Sequence, residues 1–112
     1  MMRPEEVRRV VQDKIAQERA KRGPNADVLL PVSRYWLPVR ALEALFCELK
    51  LRDRASLRHS LMSYLVGKTT TQALTQAEAD VLVWWAQSPA AQQEARMILD
   101  KCGVNVGQLL LL

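Results

Sequence analysis

The sequence predicts an all-α chain, a compact bundle of four to five short helices with an N-terminal helix and an extended strap. Three observations carry that prediction. Apolar residues recur at spacings of three and four along most of the chain. Local start and stop signals punctuate these runs, above all Thr75-Gln76-Ala77-Glu78 and Ser88-Pro89. The connections after residue 38 are short, as between neighbouring helices of a bundle. We divide the 112 residues into 1–37, a basic helix and apolar strap, and 38–112, the bundle with a hydrophobic C-terminal tail.

The first helix is expected from Pro4 to Arg22. Proline suits an early helical position, and Glu5 and Glu6 complement the positive helix end. Val7, Val10, Val11 and Ile15 mark one narrow stripe, weak for a central core helix but sufficient to lie against a bundle or a partner. Gly23 supplies the stop. From 23 to 38 the periodicity fails at Pro24, Asn25, Asp27, Pro31 and Pro38. Val28, Leu29, Leu30 and Val32 are too apolar for a free linker. They either cross the bundle as a strap or await a partner. Pro38 biases Leu37 away from helix, so the second helix is expected from Pro38 to about Lys50, carrying Val39, Leu42, Leu45, Phe46 and Leu49 inward. A third follows from a cap at Asp53 to Val66, with Leu57, Leu61 and Leu65 as its seam and Gly67 as its stop.

The fourth helix has the sharpest signal. Thr75 and Glu78 form a capping box, with Leu74 and Ala79 at the positions of a hydrophobic staple. Trp84 and Trp85 are adjacent and about 100° apart on a helix, so one is expected to complete the core while the other reaches the rim or a partner. Ser88-Pro89 reads as the cap and first turn of a fifth helix bearing Ala91, Ala95, Ile98 and Leu99. The chain ends Leu109-Leu110-Leu111-Leu112, too short to span a membrane. Docking of these leucines onto their own bundle and into another subunit remain open alternatives.

Charge is distributed unevenly. Residues 1–68 hold 14 Lys/Arg against 8 Asp/Glu, whereas 69–112 hold 2 against 4. Any phosphate-facing surface is therefore expected before residue 69. Arg52, Arg54, Arg58 and Lys68 gather around the third helix, and Arg34 and Arg40 flank Tyr35 and Trp36, a pairing suited to phosphate contact and base stacking. An ordinary solubilising surface explains the same residues.

Catalytic groups are sparse. His59 is the lone histidine, expected on the surface beside Arg58. Ser56, Ser60 and Ser63 stand near it without an orienting acid. Cys47 and Cys102 form no metal-type pair and are expected as reduced core thiols. Gly67-Lys68-Thr69-Thr70 lacks the upstream glycines of a phosphate-cradling loop. We expect no catalytic residue, no metal and no cofactor. The beginning Met1-Met2-Arg3 has no secretory pattern, so a cytoplasmic location without a membrane is expected.

From about 39 to 86 the order is distinctive. A helix ends Leu49-Lys50-Leu51, a charged turn runs Arg52–Arg54, a helix ends Ser63-Tyr64-Leu65-Val66-Gly67-Lys68, and a threonine loop leads into Leu74–Ala79. This stretch resembles the small helical modules of phage recombination and Mu-type regulatory proteins, and those appended to some single-strand-annealing proteins. Pro38 and Trp84-Trp85 depart from that pattern. The resemblance implies a DNA-metabolism setting and supplies no catalytic residue. The resulting expectation is a non-catalytic accessory or adaptor protein with a protein partner or a homo-oligomeric state, its contacts made by Tyr35, Trp36, Trp84, Trp85 and Leu109–Leu112. The alternative is a module binding DNA or RNA directly through residues 34–68.

Overall fold

The apolar stripes collect into one core shared by five α-helices. A computed structural model describes residues 2–105 and 107. Among them lie α1 (Pro4–Arg22), α2 (Trp36–Glu48), α3 (Arg54–Val66), α4 (Gln76–Ala86) and α5 (Ala91–Lys101), and no strand is present beyond one isolated bridge. The helix α4 packs on both α1 and α2, and α5 packs on α1, α2 and α3. Phe46, Leu42, Leu61, Met62, Leu65, Leu82, Ile98 and Leu99 are fully buried at their meeting point.

The first helix is more central than its narrow stripe suggests. Val7 and Val11 are wholly buried, and α1 touches α3, α4 and α5. Val10 is exposed, but two valines and an isoleucine suffice because polar side chains on the flanks of the stripe fix the rest of the helix. Gln12 Nε2 donates to the Leu65 carbonyl, Arg8 Nε donates to the Tyr64 carbonyl at 2.9 Å, and Arg22 Nη2 pairs with Asp80. The helix therefore belongs to the bundle's core and is not a loose appendage.

Helix α2 begins at Trp36, two residues before the proline, and ends at Glu48. Leu37 is helical despite preceding Pro38. The 3-10 turn Val32–Arg34 delivers Tyr35 already in helical conformation. Pro38 then falls in the first turn, where a backbone N–H has no intrahelical acceptor, so its missing donor costs little. The α2–α3 connection uses positive φ at Lys50 and Asp53. Asp53 occupies the cap position of α3, but its side chain makes no cap hydrogen bond. Its left-handed backbone, which Asp tolerates better than most residues, sets the turn instead.

Ser88 is not the cap of α5. Its carbonyl accepts from Ala91 at 3.2 Å, closing a turn through Pro89, and Ala90 precedes the helix without a side-chain bond. Both cysteines are exposed, contrary to the expectation of core thiols. Each stands at the polar edge of a helix end whose neighbours, Phe46 and Leu99, take the buried positions.

The capping box at α4 is complete. Glu78 N donates to Thr75 Oγ1 at 3.1 Å, and Thr75 N donates to Glu78 Oε1 at 2.9 Å. Leu74 and Ala79 are both buried, as a staple pair requires. The strap crosses at this point. Leu30 N donates to the Leu74 carbonyl, and Gln76 N donates to the Val28 carbonyl, each at 2.9 Å. Replacing Thr75 by Ala removes the cap acceptor and is expected to cost about 1 kcal/mol. In urea unfolding the midpoint falls without a change in slope, and the Leu30 and Gln76 amides exchange faster with deuterium.

Candidate functional site

The strap ends with its apolar side chains turned to solvent. Val28, Leu29, Val32 and Trp36 are all exposed, Val32 to 75% and Trp36 to 55%. Their neighbour Leu30 is buried and anchors the segment. The bridge pairs Leu29 with Thr75 in the antiparallel sense, with hydrogen bonds made by the residues on either side. In that pairing, the peptide N–H and C=O of the bridged residue point to the opposite edge. Those of Leu29 have no backbone partner among the described residues. One short segment therefore shows apolar side chains and an open peptide edge together.

A groove of about 510 Å³ continues from it between α2, α4 and the start of α5. Trp36 and Arg40 stand on it with Ala44 and Glu48, and Val83 and Gln92 close the other side. Helical spacing produces this surface, since Trp36, Arg40, Ala44 and Glu48 fall four apart on one face of α2. The small Ala44 side chain leaves the space, and Leu45 and Phe46 turn into the core. Glu48 accepts a hydrogen bond from Gln92 across the groove's end.

The tryptophans divide as their spacing requires. Trp84 is 45% exposed, with Lys14 Nζ 5.0 Å from its ring centroid, within cation–π range. Trp85 is only 3% exposed and donates from Nε1 to Glu94 Oε1 at 3.0 Å. Its burial corrects its assignment to a contact surface. The tight turn through Ser88-Pro89 lets these two residues meet across adjacent helices. Tyr35 is half-buried against the core. The Leu109–Leu112 assignment lies outside the described residues.

The basic residues divide into exposed side chains and side chains paired within the fold. Arg34, Arg40 and Arg54 are exposed, as is Arg52. Arg58 is held by Glu43, Nη1 to Oε1 at 3.1 Å. Lys68 Nζ lies 2.6 Å from Glu78 Oε1, the same carboxylate oxygen that serves the α4 capping box. Two of the six candidate phosphate contacts thus already hold carboxylates within the fold. Sequence spacing gave no sign of either partner, which come from residues 15 and 10 positions away.

His59 is exposed, as expected, and shares a surface depression with Arg8, Ser60, Ser63 and Cys102. Cys47 is not among its lining residues. Among the described residues, no three His, Cys, Asp or Glu side chains gather as a metal-ligand set. No helix there is long and apolar enough to cross a membrane. A hydrogen bond from Lys101 holds the Glu5 carboxyl below its usual pKa, and the same bond raises that of Lys101. This exposed pair therefore loses its contribution as pH falls through the lowered Glu5 value, and again as pH rises through the raised Lys101 value.

No protein-family model, curated protein or solved structure matches the chain.

Trp85 and Glu94 supply a direct test of the packing behind the groove. Trp85→Phe leaves the Glu94 carboxylate buried without its indole donor and is expected to cost about 1–3 kcal/mol. The double change Trp85→Phe, Glu94→Leu recovers part of that loss because both polar partners are gone. Urea midpoints of the two variants decide it; equal stability of Trp85→Phe and the parent would exclude a structural role for the bond.

Proposed function

We propose that this chain is a non-catalytic accessory protein that binds a partner polypeptide through the strap and the mouth of the α2–α4 groove. The observation that carries the reading is the coincidence of four exposed apolar side chains with the unpaired peptide edge of Leu29. An exposed apolar cluster is a feature of contact surfaces. A peptide edge is matched by another peptide, which can add alongside it. The rigid attachment of the strap to α4 lowers the ordering cost of binding. Trp36 is the natural anchor, being a large aromatic at the centre of the surface with Arg40 beside it. A setting in DNA or RNA processing rests on the resemblance of residues 39–86.

The test uses tagged full-length chain recovered from its own cells after nuclease treatment, compared with Trp36→Ala and Val32→Ser. A protein partner is expected to survive the nuclease. Its affinity for Trp36→Ala is expected to fall by about 30-fold, the equivalent of losing an anchor worth about 2 kcal/mol, with the melting temperature little changed. Equal recovery by both variants sinks the proposed surface. A parent chain that self-associates and is made monomeric by the same changes would replace the partner with a second copy.

One observation favours direct nucleic-acid binding as a second reading: Trp36 is exposed, and Arg40 lies in the same groove. If Arg34, Arg40 and Arg54 each neutralise one phosphate of a single strand, affinity should fall roughly 20-fold between 50 and 200 mM salt. Fluorescence anisotropy with a labelled oligonucleotide measures this, and a flat salt response excludes the reading.

A further inference from the structure

A second surface has a different chemistry. Between α1 and α3, beside the end of α5, lies a shallow depression of about 410 Å³. Arg8 enters it from α1, His59, Ser60, Ser63 and Tyr64 from α3, and Thr69 from the loop beyond. No carboxylate is among its lining residues. The Arg8 guanidinium stacks over the Tyr64 ring at 3.8 Å, while its Nε donates to the Tyr64 carbonyl at 2.9 Å. Those two contacts orient the guanidinium in advance. Its two terminal nitrogens carry no bond to a described residue, and neither do the side chains of His59, Ser60, Ser63 and Thr69. Tyr64 serves the depression through its ring and its carbonyl, which hold Arg8 in place.

The surrounding groups share one property, the ability to donate. A guanidinium fork matches a planar pair of acceptor oxygens, three aliphatic hydroxyls can each rotate to donate, and an imidazole N–H donates in either protonation state. We propose that this depression binds the terminal phosphate of a phosphomonoester, or free phosphate. Three terminal oxygens accept from this many donors, whereas the two free oxygens of a diester leave several unused. The site is independent of the strap and does not rest on the partner-binding reading.

The test is a titration of the ¹⁵N-labelled full chain with sodium phosphate, O-phosphoserine and dimethyl phosphate, each against sodium chloride of equal ionic strength. Phosphate and phosphoserine are expected to give saturable shifts centred on residues 59–64, Thr69 and the Arg8 Nε–H. Arg8→Gln is expected to weaken binding roughly tenfold, as for loss of one charge-assisted bond. Ser63→Ala changes an exposed side chain with no bond inside the fold and is expected to weaken binding to a smaller degree. Saturation by phosphate alone assigns the site to the free ion, and saturation by both assigns it to the monoester class. Shifts no larger than with chloride, shifts spread over all basic residues, affinity unchanged in both variants, or equally tight binding of dimethyl phosphate would each overturn the proposal.

Discussion

The loop after α3, the start of α4 and the strap are organised around a single carboxylate. Glu78 accepts from the Thr75 amide and lies against the Lys68 ammonium while its own amide is capped by Thr75. This arrangement satisfies the first turn of α4, fixes the loop leaving α3 and holds Leu74 and Thr75 extended as they enter the helix. The strap hangs on the Leu74 carbonyl and on the Gln76 amide at the start of α4. A nearly buried carboxylate is costly unless its acceptor oxygens are satisfied. Here it accepts a backbone donor and a cation, so burial becomes tolerable and the geometry becomes specific.

A second buried acid repeats the principle at the other end of α4. Glu94 is 2% exposed and accepts from Trp85. The bond lets a bulky, half-polar indole close the core where α4 turns into α5. It also explains the division of labour between adjacent tryptophans. Once Trp85 has a buried acceptor, the helical rotation places Trp84 outward, where Lys14 covers one face.

Much of this was legible in the sequence because it is local. The limits of α1, the Thr75–Glu78 box and the split of Trp84 from Trp85 follow from spacing and capping alone, whereas the apolar residues of the strap left its crossing and its exposure as two open alternatives. The readings that failed are those in which a distant contact outweighs a local preference. Pro38 marks a helix boundary locally, but the preceding 3-10 turn starts α2 earlier. Ser88 is a good cap by type, yet the turn that brings Glu94 under Trp85 makes Ala90 the last residue before α5. Lys68 and Arg58 look available until α4 and α2 bring carboxylates to them. The anchoring bonds of α1 to α3 and the donor-rich depression between them join residues more than fifty positions apart, so no window along the chain contains them.

The two surfaces therefore offer opposite chemistries, and the distinction is physical. At the strap, apolar side chains and a bare peptide edge lose water cheaply when another chain covers them. In the depression by Arg8, water is bound to oriented donors, and only an acceptor of comparable strength displaces it favourably. The strap's arginines lie between these cases. Arg34 and Arg40 border an apolar surface, so on the proposed reading their charges would steer an approaching partner and set its orientation more than they add to the final affinity. A partner that carries acidic residues flanking an apolar extended segment satisfies the edge, the tryptophan and both arginines at once. A bare phosphate backbone would use the arginines but leave Val28, Leu29 and Val32 uncovered, and that unused apolar area is the reason for proposing a polypeptide at this surface.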